Sequence, residues 1–235
     1  VAHKAGMITD DALNEQINKL RGYDVLSQMK KHMFRTAFQQ MHNVSVSGGN
    51  DDITYNLAVN YTNNRSSYIN TKDNRLIVDF KNTWKPFKFM TLGVSANIRY
   101  SRAQSPNTSW QTLTDYTNKV KPYTQLVDEN GELTNIRTVS YALQNTFNKV
   151  SGMKDVSYNP INDAYQDYNT AQNLGARLNA NLHFDIWNGI SADFGGTWSR
   201  NNSTYKAISE ADSYIMRYSY EPLKYQDTKR LSRRL

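Results

Sequence analysis

The sequence predicts an all-β chain of antiparallel strands. Three observations carry that expectation: apolar residues alternate with polar ones at period two, the longest alternating runs cover about 11 to 13 residues, and the connections between runs are short and long in turn. A strand sends successive side chains to opposite faces, so period-two alternation is its signature. With 38% hydrophobic and 12% aromatic residues, the chain has too many large anchors for simple disorder. No window approaches the ~18–20 consecutive apolar residues of a spanning helix.

The clearest run is Leu174 to Ile186. Its even positions are Leu174, Ala176, Leu178, Ala180, Leu182, Phe184 and Ile186, and its odd positions are Gly175, Arg177, Asn179, Asn181, His183 and Asp185. Asp52–Thr62 aligns Ile53, Tyr55, Leu57, Val59 and Tyr61 on one side. Thr91–Ser101 aligns Leu92, Val94, Ala96, Ile98 and Tyr100, and Ile190–Ser199 aligns Ile190, Ala192, Phe194, Gly196 and Trp198. Two runs are weaker. Asn43–Ser47 offers Val44 and Val46, while Arg75–Lys81 offers Leu76, Val78 and Phe80 with Ile77 on the opposite side.

Between these six strands, Gly48-Gly49-Asn50-Asp51 reads as a compact hairpin turn and Asn63–Lys72 as a polar loop. Asn82–Lys88 and Trp187-Asn188-Gly189 form the next short connections, on either side of a long loop at 102–171. Every long connection therefore falls at one end of the sheet and every tight turn at the other. Residues 1–39 differ in kind. Thr9-Asp10-Asp11 opens a helix, and Ile17, Leu20, Val25, Leu26, Met29, Met33 and Phe34 lay an apolar stripe on two short helices broken at Gly22. The expected organisation is a helical segment over 1–39, strands over 40–200, and the start of a further loop over 201–235.

A soluble sandwich also alternates, but its strands usually run ~5–6 residues. A tilted strand crossing a bilayer needs ~9–11, and outer-membrane barrels join such strands by short periplasmic turns and long external loops. Trp84, Phe87, Phe89, Tyr100, Trp187 and Trp198 near strand ends suit an interfacial girdle. Small membrane barrels close at ~8 strands, so six strands would be an arc of a larger barrel whose other strands lie outside residues 1–235. On that reading Leu57, Val59, Val94, Leu178, Leu182 and Phe184 face lipid. Asn56, Asn60, Asn97, Arg99, Asn179, Asn181 and His183 then face the lumen. Trp110, Tyr116 and Tyr123 in the long loop are candidates to stack a sugar or to touch a partner, since aromatic rings present flat apolar faces. The alternative is a soluble β-sandwich glycan-binding module.

Catalytic chemistry finds no footing. His3, His32, His42 and His183 share no ligand spacing, and no nucleophile elbow, zinc-protease or phosphate-loop motif occurs. The chain has no cysteine, which removes thiolate ligands and nucleophiles. Asp128-Glu129-Asn130-Gly131-Glu132 lacks calcium-loop spacing and reads as a turn at Asn130-Gly131. No enzyme activity, metal or cofactor is expected. The net charge of +7 is spread along the chain, and the basic stretch near the end lacks the aromatic interleaving of a nucleic-acid site.

The stretch MFRTAFQQMHNVSVSGGNDDITYNLAVNYTNN (33–64) resembles the barrel of the SusC/RagA family of TonB-linked outer-membrane transporters of Bacteroidetes-type bacteria. His42-Asn43, Ser45, Ser47-Gly48-Gly49 and Tyr55-Asn56 stand at matching places. FKFMTLGVSANIRYS, with Leu92, Gly93, Asn97 and Tyr100, resembles the family's following strand. KPYTQLVDENGEL and the run from Asn159 to Ser199 resemble a later loop and strand pair. The likeness covers about residues 20 to 200, with gaps. It implies a parent barrel of ~22 strands in the outer membrane of a Gram-negative bacterium. That parent would import oligosaccharides or peptides together with a SusD-like surface lipoprotein, driven by TonB through a part of the parent outside residues 1–235.

Overall fold

The computed structural model describes residues 6, 8–107, 120–138, 140, 142, 143, 145, 149 and 155–219. Its centre is one six-stranded antiparallel sheet in simple meander order: β1 (Phe38–Gly49), β2 (Ile53–Arg65), β3 (Lys72–Phe87), β4 (Met90–Pro106), β5 (Asp167–Trp187) and β6 (Ile190–Ser209). Among the described residues the helices α1 (Asp10–Arg21), α2 (Val25–Met33) and α3 (Pro160–Gln166) accompany it.

The two N-terminal helices form where the sequence places them. Thr9 caps α1 by accepting from the Ala12 amide, and Gly22 ends it. Asp24 caps α2 and accepts from the Leu26 amide. Along the expected stripe, Val25, Met29 and Met33 are buried, while Leu26 turns outward.

All six strands are longer than their alternating runs. β6 continues past Ser199 to Ser209 because its polar half, Arg200 to Lys206, pairs with Thr170–Ala176 of β5. Polar residues on both faces erase the period-two signal there, yet the backbone ladder continues. The expected connection over Asn82–Lys88 is also corrected. β3 extends through Trp84 and Pro86 to Phe87, with an irregular register that tolerates the proline, and the turn shrinks to residues 88–89. Likewise 160–166, within the expected long loop, is α3: Asn159 is its N-cap and Pro160 its first residue.

The register places every apolar run on one face. Val46, Leu57, Phe80, Ala96, Leu178 and Trp198 form one continuous cross-strand row. This face is open: Phe194 is 63% exposed and Trp187 78%. Ile77 sits with the polar residues of the other face, opposite Asn60 and Arg99. At the β1–β2 turn Gly49 has φ +149°, and a Cβ there would lie 2.1 Å from the Ile53 carbonyl oxygen, so only glycine fits.

The buried core lies off the sheet. Val25, Met29 and Met33 of α2 pack with Ile69, Val120, Leu126, Tyr158, Ala164 and Tyr214 in a single cluster, and none of these residues belongs to a strand. The cluster gathers every long connection, together with α2, into a cap at one end of the sheet, while α1 buries no residue. Gln28 holds it to α2: its Oε1 accepts from the Leu126 amide (2.7 Å) and its Nε2 donates to the Thr124 carbonyl (3.3 Å). Asn159 Nδ2 donates to the Leu126 and Thr134 carbonyls (2.9 and 2.7 Å). Asn70, at φ 51°, donates to the Ala164 carbonyl (2.8 Å) and accepts from Gln104 Nε2 (2.6 Å), tying the β2–β3 loop to α3 and β4.

Candidate functional site

The polar face of β3–β6 is hollowed into a trough of about 710 Å3. Alternation alone brings its polar side chains together: Asn97 of β4 stands opposite Asp79 of β3 and Arg177 of β5, and Arg99 opposite Ile77 and Gly175. Gly175, the cross-strand partner of Arg99, adds no side chain to the trough. Asn97 Nδ2 donates to Asp79 Oδ1 (2.5 Å). Asn179 Nδ2 donates to Ser95 Oγ (3.0 Å), and its Oδ1 accepts from Thr197 Oγ1 (2.9 Å). These bonds fix the amides across four strands. Arg75, Lys81, Arg99 and Arg177 line the trough against one carboxylate, Asp79. The trough can therefore offer guanidinium and amide donors to hydroxyl, carbonyl or carboxylate oxygens.

Of the residues expected on this face, Asn97, Arg99 and Asn179 line the trough. Asn56 and Asn60 share the face on β2, opposite Ser47 and Asn43 of β1. Asn181 and His183 lie towards the tight turns, where His183 Nδ1 is 2.7 Å from Asp193 Oδ1 and Nε2 is 3.4 Å from Asp185 Oδ1. Arg75, Lys81, Asp79 and Arg177 were not among the expected site residues. Arg177 stands on the polar side of the clearest run, so pattern alone could have found it. Arg75, Lys81 and Asp79 sat in a run weakened by Ile77. Trp110 and Tyr116 lie outside the described residues. Tyr123 is on the cap surface, 58% exposed.

The Asp128–Glu132 segment is a hairpin turn, as expected. Val127 pairs with Leu133, and Asp128 Oδ1 accepts from the Asn130 and Glu132 amides (2.9 and 2.8 Å). Among the described residues no group of three His, Asp or Glu side chains could hold a metal.

The cap has its own electrostatics. Tyr158 packs edge-on against Tyr214 at 5.1 Å, and Phe34 against Tyr68 at 5.4 Å. Asp163 Oδ1 accepts from the Tyr214 amide (2.8 Å). Burial pushes the Tyr68 phenol up to about 12, and burial, with Asp163 nearby, raises Tyr158 further. Each phenol holds its proton more tightly folded than unfolded. Their stabilisation is whole below about pH 10 and falls as pH climbs towards 12. We expect the cap to open over that window, read as tyrosinate absorbance together with amide exchange at 120–138. Titration of both phenols at the ordinary value, with no opening, would contradict the buried placement.

No protein-family model matches this chain, and no curated protein matches it.

Proposed function

We propose that the chain is an arc of a larger outer-membrane β-barrel that imports nutrients. One observation carries this reading: a single sheet with one continuous, open apolar face, whose long connections gather at one end into a cap with its own core. In β5 the apolar face runs from Leu174 to Phe184. Ten steps at ~3.4 Å and a ~40° tilt correspond to a height of ~26 Å, against an apolar band of ~25 Å in such barrels. The rest of β5, Asp167 to Asn173, would project beyond the membrane and carry the cap.

On this reading Leu57, Val59, Val94, Leu178, Leu182 and Phe184 face lipid, and the polar trough faces the lumen. β1 and β6 do not pair with each other. Open strand edges in hydrocarbon leave backbone groups unpaired, so strands outside residues 1–235 would complete the barrel. A soluble glycan-binding sandwich needs a second sheet over the apolar face, and among the described residues there is only one sheet.

The trough's amides and guanidinium groups suit solutes rich in hydroxyl and carbonyl oxygen, which fits oligosaccharide or peptide cargo. The resemblance to SusC/RagA transporters adds a SusD-like lipoprotein over the lumen and energy coupling through TonB. Tyr123 on the cap is then a point of contact for the lid or the solute.

The test is a heat-modifiability gel on outer membranes, probed with an antibody against residues 102–171. A closed barrel keeps its fold unboiled and migrates differently after boiling. The expected result is a heat-shifting membrane band well above 27.1 kDa. A soluble species of that mass with no shift would sink the transporter reading.

A further inference from the structure

The two sheet faces differ in charge as well as in hydropathy. All five strand carboxylates, Asp73, Asp79, Asp167, Asp185 and Asp193, stand on the polar face. The apolar face has none. It nevertheless carries cations: Arg65, Lys72, Arg102, Arg200 and Lys206. Arg65, Lys72, Arg102 and Lys206 lie on the cap side of their strands beyond the apolar belt, and Arg200, opposite Ala176, stands just inside its cap-side margin. A face that is apolar below and purely cationic above matches an anionic interface at the cap end.

One part of this band is a built cavity. Arg35, Arg65 and Lys72 line about 590 Å3 together with Phe38, Asn63, Asn70 and Tyr165. Phe38, Arg65 and Lys72 are direct cross-strand partners in one row. Arg35 is held in place: its Nε donates to the Ser66 carbonyl (3.1 Å) and its Nη2 to the Thr71 carbonyl (3.2 Å). Like charges directly opposite each other destabilise a sheet, and the Arg65–Lys72 pair is such a juxtaposition. Among the described residues neither side chain has a carboxylate partner. An anion in the cavity would relieve the repulsion. Phe38 is 53% exposed at its wall, and Tyr61 and Leu76 begin the apolar belt just below. The cavity thus offers cations above and apolar surface beneath, the two ends of an amphiphile.

We propose that this cavity binds the phosphate group of a phosphorylated glycolipid in the outer leaflet, with the acyl chains lying along the apolar face. The proposal rests on the membrane reading above. Guanidinium groups donate paired hydrogen bonds to phosphate oxygens, and basic clusters beside a membrane attract anionic headgroups. Asn63 supplies an amide for a sugar hydroxyl.

The experiment uses the full-length protein that carries this chain, extracted in zwitterionic detergent. It is titrated, with native mass spectrometry as readout, with a phosphorylated acyl-disaccharide, the same lipid without phosphate, and inorganic phosphate. The phosphorylated lipid is expected to bind about tenfold or more tightly than its dephosphorylated form. Arg65→Gln with Lys72→Gln should remove that advantage, Lys72→Gln alone part of it, and Lys85→Gln at the opposite end none. Equal binding of both lipids, or undiminished binding by the double variant, would overturn the site. Competition by inorganic phosphate as effective as by the lipid would overturn the lipid assignment. The heat shift of each variant is measured in parallel. A retained shift with no lipid preference removes only this site, whereas a wild-type protein without a shift removes the barrel reading itself.

Discussion

Leu178→Arg is expected to abolish the heat-shifting membrane band, while Asn179→Arg, one residue on, leaves it in place. Leu178 stands between Ala96 and Trp198 in the middle of the apolar face, and Asn179 between Ser95 and Thr197 on the polar face. An arginine on the lipid side at the bilayer midplane costs ~2–4 kcal/mol, whereas a lumenal one meets water and polar groups. The measurement is the amount of heat-shifting protein in outer membranes for both variants. Equal tolerance would mean that the apolar face does not meet lipid. Loss of both would mean that the polar face is packed against apolar structure. If the parent were a soluble sandwich, Leu178→Arg would instead reduce folded protein in the soluble fraction.

Leu126→Ala is expected to open the cap and spare the sheet. Leu126 is fully buried, its amide donates to Gln28 and its carbonyl accepts from Asn159. Removing a buried leucine side chain costs ~2–5 kcal/mol, depending on how far the site collapses. The sheet is held by its own backbone ladders and shares no buried apolar residue with the cap core. Protease added outside intact cells should therefore cut the variant within the cap, while the heat shift survives. Simultaneous loss of both would show that cap and sheet unfold as one unit. Unchanged protease resistance would deny the cap a core of its own.

Much of the sheet was legible in the residues, because strand alternation is a local property. Tyr55, Leu57, Val59 and Tyr61 are displayed on one side by covalent geometry alone, whatever they later meet. Signal faded where both faces become polar, as in β6 beyond Ser199, and where one residue broke the pattern, as Ile77 did in β3. α3 was legible in principle, since Asn159-Pro160 is a helix-start pair. It is short, however, and sits inside a loop whose other residues show no period. The polar-face residues were found in the strongly alternating strands, while Arg75, Lys81 and Asp79 were hidden with the weak one.

By itself the sequence determined the number of strands, their two faces, the end at which the long connections gather, and the two N-terminal helices. Each follows from neighbours along the chain. Only the tertiary structure decided that those connections share one core, because Gln28 meets Leu126, and Asn70 meets Ala164, across separations that carry no local pattern. It also decided the register that sends every strand carboxylate to one face, and that stands Arg65 beside Lys72 on the other. Register is set by pairing between strands, and pairing depends on hydrogen bonds that no single strand can specify.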